Sequence, residues 1–260
     1  MTKILAITNQ KGGVGKTTTS VNLAASLAAA KQRVLLIDLD PQGNATMGSG
    51  IDKRGLQSSV YEVLLGNESI SAARIRAEAG RYDLLPANRE LAGAEIELVD
   101  LDRRETRLRD ALQPVNSEYD YVLIDCPPAL NLLTLNGLCA AKSVMIPMQC
   151  EYYALEGLSD LVNTIRKVRA NLNPDLEIEG LLRTMFDPRN ALAQQVSDQL
   201  LEHFGAKVYR TVIPRNVRLA EAPSFGVPVL YHDKLSKGTQ AYLALAGEFL
   251  NNAAYPAATE

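Results

Sequence analysis

The residues with the clearest chemical potential lie near the start of the chain, in residues 9–19 (NQKGGVGKTTT). Glycines followed by Lys-Thr are typical of loops that bind phosphate groups, in the pattern G-x-x-x-x-G-K-[ST]. Here the position six residues before Lys16 is Gln10, where that pattern has glycine, and a second lysine, Lys11, follows it. The stretch therefore predicts a phosphate-binding loop of an unusual type, with one lysine that the pattern does not explain.

Most residues of this loop have an expected role toward a nucleoside triphosphate. Its glycines let the backbone turn tightly and aim N–H groups at phosphate oxygens, and the helix that begins at Lys16 adds a positive N-terminus. We expect Lys16 to contact the β- and γ-phosphates, Thr17 to ligate Mg²⁺ and Thr18 to donate to the α-phosphate. The residues predicted from the pattern to surround the phosphates are Gly12, Gly13, Val14, Gly15, Lys16, Thr17 and Thr18.

Three acidic residues follow apolar runs elsewhere in the chain. Asp125 ends YVLID, just before Pro127 and Pro128, and Asp38 and Asp40 belong to the turn DLDPQGN. A carboxylate at such a strand end can hold a Mg²⁺-bound water, and one in the turn could orient the attacking water. Acids at these positions are also common turn and cap residues. Together with the phosphate loop, Asp125 is predicted to serve the metal, whereas both interpretations stay open for Asp38 and Asp40.

Short apolar runs alternate with longer helical patterns, and this alternation must position the loops that carry the candidate residues. The runs are continuously apolar, which favours an α/β fold whose mostly parallel sheet has helices on both faces. Ligands of such sheets bind at the carboxyl ends of the strands, so the loops after residues 8, 38 and 125 should share one rim. We predict strands at 3–8, 33–38, 82–85, 121–125, 143–148, 178–186 and 208–213, and helices at 17–30, 60–65, 88–112, 130–141, 155–172, 191–204 and 235–250.

The domain organisation is expected to be simple. No linker, repeat or low-complexity tract interrupts the pattern, so residues 1–250 are predicted to form a single domain. Residues 251–260 are small and polar, and we expect this tail to be frayed.

Composition narrows the class of protein. The chain has 260 residues, of which 47% are hydrophobic and 22% charged, an ordinary globular composition. No signal peptide precedes the first strand and no apolar run reaches the roughly 20 residues that span a bilayer, so we expect a cytoplasmic protein. The cysteines Cys126, Cys139 and Cys150 are far apart within apolar segments, which favours small buried side chains over disulfides.

The charge distribution is uneven although the net charge is −3. Residues 187–238 contain seven Lys and Arg against five Asp and Glu. This segment is therefore the one where a basic face is expected.

Five motifs in the same order resemble the ParA/Soj type of partitioning ATPases, which have a deviant Walker A loop. They are KGGVGKTT (11–18), DLDPQGNAT (38–46), DCPP (125–128), TMFDPRNALAQQV (184–196) and VIPRNVRLAEAPSFGVPV (212–229). The resemblance extends from residue 1 to about residue 250. KGGVGKTT alone would also fit the wider group, which includes MinD-like and nitrogenase-iron-protein-like members.

The resemblance implies a P-loop NTPase fold, ATP/ADP and Mg²⁺ as cofactors and slow ATP hydrolysis. It also implies a homodimer in the ATP-bound form, in which Lys11 reaches the phosphates of the partner subunit while Lys16 serves its own nucleotide. Asp40 matches the acid that positions the hydrolytic water, and Asp38 lies near the metal. Pro214 and Asn216 match positions that contact adenine.

The resemblance further implies partners. The ATP dimer of such proteins binds double-stranded DNA without sequence preference, which makes them nucleoid-associated, and a centromere-binding protein of the ParB/Spo0J type stimulates hydrolysis. Arg189 and Arg218 match positions implicated in DNA binding, and Lys234 and Lys237 are added here on charge grounds. No helix-turn-helix is found before Lys3, so sequence-specific repression is not expected.

Two other functions remain as alternatives. A MinD-like membrane-associated regulator of cell division needs a basic amphipathic C-terminal helix, but residues 241–260 contain no Lys or Arg, so no membrane association is expected. An iron-sulfur ATPase needs exposed cysteines at a dimer axis; Cys126 follows Asp125 but has no matching partner motif.

Overall fold

A single sheet of seven strands organises the described part of the chain, and six of these strands match predicted apolar runs. The computed structural model describes residues 2–254. The strands are β1 (Lys3–Ile7), β2 (Val34–Asp38), β3 (Ile75–Ala77), β4 (Tyr82–Leu85), β5 (Tyr121–Asp125), β6 (Ser143–Gln149) and β7 (Glu177–Thr184).

The strand order in the sheet is β3-β4-β2-β5-β1-β6-β7. All neighbouring strands are parallel except β3, which pairs antiparallel with β4 at one edge. The predicted mostly parallel α/β sheet is thereby confirmed. The edge strand β3 was not predicted, because three residues are too few to give a periodic signal.

Helices connect the strands. They are α1 (Lys16–Ala29), α2 (Asn44–Gly48), α3 (Val60–Leu65), α4 (Ile70–Ala73), α5 (Leu91–Glu97), α6 (Arg107–Leu112), α7 (Leu132–Ala140), α8 (Ala154–Asn171), α9 (Ala191–Phe204), α10 (Val217–Glu221), α11 (Val229–His232) and α12 (Lys237–Ala254).

Each face of the sheet has its own hydrophobic core. Successive strand residues point to opposite faces, so Ile4 and Ala6 of β1 pack into one core while Leu5 and Ile7 pack into the other. The first core includes apolar residues of α3 and α5 to α9, and the second includes those of α1, α11 and α12. Burial on both faces explains why the strands read as continuous apolar runs.

The predicted long helix at 88–112 is wrong. The segment forms α5, a short 3-10 turn (Leu98–Asp100), an irregular stretch and then α6, with Arg103 at a φ of 56°. A straight helix of that length would extend roughly 37 Å, well beyond the strands that it covers. The break keeps both Leu91 and Leu108 fully buried.

The predicted strand at 208–213 is also wrong. The segment runs beside β7 but forms only isolated bridges, between Leu181 and Val208 and between Phe186 and Pro214. The buried Arg183 guanidinium donates to the carbonyl oxygen of Tyr209 at 2.8 Å. This carbonyl oxygen therefore accepts a hydrogen bond from a side chain, and not from the backbone of a neighbouring strand as in a regular β-ladder.

The C-terminal helix differs from the prediction only in its ends. α12 reaches Ala254, four residues beyond the predicted end at 250, so the first part of the predicted tail is helical. The remainder, residues 255–260, lies outside the described residues. Within the described part of the chain, no helix combines the length and the hydrophobicity that crossing a membrane requires.

Candidate active site at the carboxyl rim of the sheet

The register of the central strands brings the predicted loops together. Asp38 at the end of β2 is the direct partner of Asp125 at the end of β5, and Asp125 is also paired with Ile7 at the end of β1. The loop that follows β1 is the predicted phosphate loop. Three chain segments that are far apart in sequence therefore meet at one rim, as the strand-end rule predicts.

The phosphate loop turns through two glycines in the left-handed region. Gly13 has a φ of 75° and Gly15 a φ of 86°, conformations that side chains with a Cβ rarely adopt. Val14 between them is buried, and its carbonyl oxygen accepts a hydrogen bond from Thr184 Oγ1 at 2.8 Å. Gly12 and Gly13 are exposed, so the outer part of the loop is open to a ligand.

The two lysines of the loop have different environments. Lys16 is 7% exposed, and its Nζ donates to the carbonyl oxygen of Lys11 at 3.1 Å, across the inside of the loop. Burial lowers the pKa of the Lys16 ammonium, while the charges of Asp125 and Asp40 act in the opposite direction. Lys11 is exposed, and its ammonium forms an ion pair with the exposed Glu151.

Asp125 is held by two hydroxyls of α1. Thr17 Oγ1 donates to Asp125 Oδ2 at 2.8 Å, and Ser20 Oγ donates to Oδ1 at 2.8 Å. The carboxyl group is fully buried; burial, together with the neighbouring charge of Asp38, raises its pKa above the usual range, against the effect of the two hydroxyls. A buried carboxylate that makes no salt bridge with any of residues 2–254 is a favourable place for a positive ion.

Asp38 is held by a second set of donors. Its Oδ2 accepts from both the backbone N–H (2.8 Å) and the hydroxyl (2.7 Å) of Thr46, and its Oδ1 accepts from the N–H of Asp40 at 3.1 Å. Burial raises the pKa of Asp38, and these hydrogen bonds oppose that rise. The carboxylate is therefore fixed in position beside Asp125.

The donor set fits magnesium. Mg²⁺ prefers hard oxygen ligands and keeps several waters, so it needs only one or two protein groups beside the phosphates. The Thr17 hydroxyl and the Asp125 carboxylate are in contact at the mouth of the phosphate loop, and Asp38 adjoins Asp125. Within residues 2–254, no group of three or more His, Cys, Asp or Glu side chains converges in a way that could hold a metal ion by itself.

Asp40 lies in the turn after β2 and is partly exposed. Its Oδ1 accepts from the N–H of Gln42 at 2.9 Å, and its backbone carbonyl oxygen accepts from the N–H of Gly43 at 2.8 Å. Its charge is felt by Lys16 and by Asp125. The turn therefore leaves this carboxylate in contact with solvent, and its charge acts on both Lys16 and Asp125.

A cleft beside the phosphate loop contains both positions that the resemblance links to adenine. It has a volume of about 180 Å³, and Pro214 and Asn216 line it together with Gly15 and Thr18 of the loop. The Asn216 side chain also accepts from the N–H of Leu219 at 3.3 Å and so caps α10. This cap is a structural role that the sequence did not reveal.

The four cationic residues predicted to bind DNA are all exposed, but two of them, Arg189 and Arg218, already form ion pairs with acidic side chains. Arg189 makes two hydrogen bonds to Asp187, at 2.9 and 2.8 Å. Arg218 pairs with Glu221 at 2.7 Å and with Asp233 at 3.3 Å, next to Lys234. Lys237 shares a cleft with Arg189. The structure thus brings Arg189 close to Lys237 and Arg218 close to Lys234.

Sequence reasoning missed several residues that shape the site. Ser20 lies one helical turn after Lys16 on α1 and reaches Asp125, and Thr46 reaches Asp38 from α2. Thr184 at the end of β7 supports the loop at Val14. Ser20 could have been found from its i, i+4 spacing to Lys16; Thr184, which is 170 residues from its partner, could not.

The three cysteines are buried and form no disulfide. Burial raises the pKa of Cys139 and Cys150 to about 11 and that of Cys126 further still, so all three remain thiols near neutral pH. They occupy the positions predicted for small packing side chains.

The fold and site together define an α/β nucleoside triphosphatase with a phosphate loop, a buried lysine and two strand-end carboxylates. A sequence profile described as an AAA domain matches residues 2–178. The chain is 56% identical to the sporulation initiation inhibitor protein Soj of Bacillus subtilis, a match that covers 97% of this chain and 100% of that protein. It is 54% identical to the chromosome partitioning protein ParA of Myxococcus xanthus, over 95% of this chain and 88% of that protein.

A solved structure of a protein with a different name has the same fold and holds a nucleotide. A cobyrinic acid a,c-diamide synthase from Mycobacterium smegmatis with bound ADP and magnesium is 41% identical, has a TM-score of 0.87 and is matched over 98% of this chain and 96% of that chain. The chain belongs to the AAA-domain family and, within it, to the ParA/Soj partitioning ATPases.

Proposed function

We propose that this partitioning ATPase is a DNA-bound switch that dimerises around ATP. In the proposed cycle, the ATP-bound homodimer binds double-stranded DNA without sequence preference on the nucleoid, in the cytoplasm. A centromere-binding partner of the ParB type then stimulates hydrolysis, and the protein is released from DNA. The observation that carries the proposal is the contrast between the buried Lys16 and the exposed Lys11 in one phosphate loop.

This contrast supports a cross-subunit role for Lys11. Lys16 lies inside its own loop, where it can serve the subunit's own phosphates. The ammonium of Lys11 leaves the loop on the outside. Among residues 2–254 it pairs with Glu151 alone, in an ion pair whose side chains are 48% and 49% exposed. Exposed pairs of this kind contribute about 0–1 kcal/mol, so a partner's triphosphate would readily displace Glu151.

The site supports hydrolysis by positioning and charge. Thr17, Asp125 and Asp38 would hold Mg²⁺, which when bound neutralises charge on the phosphates. Asp40 is the acid proposed to orient the attacking water, because it is partly exposed at the rim and one of its oxygens has no hydrogen-bond partner among the described residues. Pro214 and Asn216 are proposed to contact the adenine in the cleft beside Gly15.

DNA binding is proposed for Arg189, Arg218, Lys234 and Lys237. All four are exposed, and all four follow β7 in the chain. Neutralisation of phosphates by a local cationic surface does not require a basic protein, and two such surfaces in a dimer reinforce each other.

The test is retention on non-specific duplex DNA without nucleotide, with ADP and with ATP, across a salt series. We expect retention with ATP only, falling steeply as salt rises. Lys11→Ala should bind ATP but neither dimerise nor stay on DNA, whereas Lys142→Ala, which removes an exposed lysine far from the loop in sequence, should behave as wild type. An ATP-dependent dimer of Lys11→Ala on a sizing column would refute the cross-subunit role.

Vesicles of anionic lipid serve as the contrasting surface for the MinD-like alternative. Binding of the ATP form to vesicles and not to DNA would replace the proposed function with that alternative. The absence of Lys and Arg from residues 241–260 favours the opposite outcome.

A further inference from the structure

An exposed cleft next to the nucleotide site is lined by more cationic side chains than the resemblance had linked to DNA binding. Its volume is about 530 Å³. Three cationic side chains line it against a single carboxylate, that of Asp187. The cations are Arg189, Lys237 and Arg215, a residue of the 212–229 motif to which no DNA-binding role had been assigned.

The backbone holds the walls of this cleft together. Phe186 pairs with Pro214 as a parallel bridge, and its N–H donates to the carbonyl oxygen of Ile213 at 3.0 Å. The loop that carries Arg189 therefore runs beside the loop that carries Arg215. Lys237 joins them as the first residue of α12.

The two arginines differ in whether they are already paired with an acidic side chain. Arg189 donates two hydrogen bonds to Asp187, and Arg189 and then, more weakly, Arg215 hold the pKa of that carboxyl at about 2, so it stays ionised. Arg215 is exposed and makes no hydrogen bond or ion pair with any of residues 2–254. Its guanidinium is the one in this cleft with all donors available.

We propose that Arg215 is a phosphate-binding residue for DNA, and that it contacts the backbone of double-stranded DNA in the cleft between Arg189 and Lys237. The inference rests on the proposed DNA-binding function and adds a residue to it. A guanidinium presents a planar fork of donors that fits a phosphate group in a bidentate manner, which an ammonium cannot do. Contact with the backbone alone carries no base preference.

The position of Arg215 also places the DNA contact next to the nucleotide. Arg215 and Pro214 line both this cleft and the smaller cleft proposed for adenine. Phosphate groups could therefore reach Arg215 from two sources, the DNA backbone or the bound nucleotide, and the experiment must separate them.

The experiment compares Arg215→Ala, Arg215→Lys and Arg210→Ala with the wild type. Arg210 is a matched control, because it is exposed, lies five residues away and lines neither cleft. Affinity for a random-sequence duplex is measured with ATP at several salt concentrations. For Arg215→Ala we expect affinity to fall by roughly tenfold and the slope of log affinity against log salt to flatten by about 0.9 per lost contact, or about 1.8 per dimer.

Arg215→Lys should keep most of the slope, since the charge remains, but bind more weakly than wild type because the bidentate geometry is lost. Arg210→Ala should match the wild type. ATP affinity is measured in parallel without DNA. If the wild type binds DNA and Arg215→Ala binds it with the same affinity and slope, the inference is wrong while the proposed function stands.

Two further outcomes distinguish the role of Arg215 from the proposed DNA-binding function. If Arg215→Ala weakens ATP binding by the same factor as DNA binding, Arg215 serves the nucleotide and the inference is again wrong. If the wild type does not bind DNA with ATP at all, the proposed function itself fails.

Discussion

Thr46→Val is the substitution that tests most directly how the candidate site is held together. The Thr46 hydroxyl donates to Asp38 Oδ2 at 2.7 Å and accepts the backbone N–H of Ala87 at 2.9 Å. Thr46, Asp38 and Ala87 are all fully buried. Valine keeps the shape of threonine but can make neither hydrogen bond.

The expected cost follows from the two lost contacts. A hydrogen bond to a charged acceptor contributes about 1.5–3 kcal/mol, and leaving a buried N–H without a partner costs about 1–3 kcal/mol. We therefore expect Thr46→Val to lower the free energy of unfolding by about 3 kcal/mol or more. That is a large part of the roughly 5–15 kcal/mol that stabilises a typical domain.

The assay is urea unfolding followed by circular dichroism, with Thr46→Ser as the matched control. Serine keeps the hydroxyl and loses one buried methyl group, at a cost of about 1 kcal/mol. With a slope of about 3 kcal/mol per molar, the valine variant should unfold at roughly 1 M less urea than wild type. If valine is no more destabilising than serine, the hydroxyl does not hold Asp38, and the account of the carboxylate pair is wrong.

Three other expectations concern the same site and its surroundings. Asp40→Ala should still bind ATP but hydrolyse it slowly and accumulate on DNA; normal turnover in a phosphate-release assay would mean that another group positions the water. Thr184→Val should weaken ATP binding, measured by titration calorimetry, because Val14 loses its support; an unchanged affinity would show that the phosphate loop is rigid without it. Cys139 and Cys150, with pKa values raised to about 11, should resist iodoacetamide at pH 8 in the folded protein and react after unfolding, as measured by mass spectrometry. The ordinary pKa of a thiol is 9, so above that pH the cysteines of the unfolded chain lose their protons while those of the folded protein keep them, and the free energy of unfolding should fall. Rapid labelling of the folded protein by iodoacetamide would contradict the burial of these two cysteines.

The sequence by itself determined the fold class and the phosphate loop. Both depend on signals that are local in the chain: apolar runs buried on two faces, and glycines, Lys16 and Thr17 at fixed spacing where a strand gives way to a helix. The strand-end position of Asp125 was equally local. The roles proposed for Lys11 and Asp40 follow from the resemblance of whole motifs and not from either residue alone.

Only the tertiary structure decided which side chains support these groups. The pairing of Asp38 with Asp125 is set by the register of β2 against β5, and the support of Val14 comes from Thr184. Such contacts join residues that are distant in sequence, so no periodicity or spacing encodes them. The break in the predicted helix at 88–112 has the same origin, because its length had to fit the sheet beneath it. Arg215 is the clearest case: it lies in the motif of residues 212–229, but that motif does not show whether its charge is paired. Only the structure shows that Arg215 makes no ion pair with any of residues 2–254, whereas Arg189 is paired with Asp187.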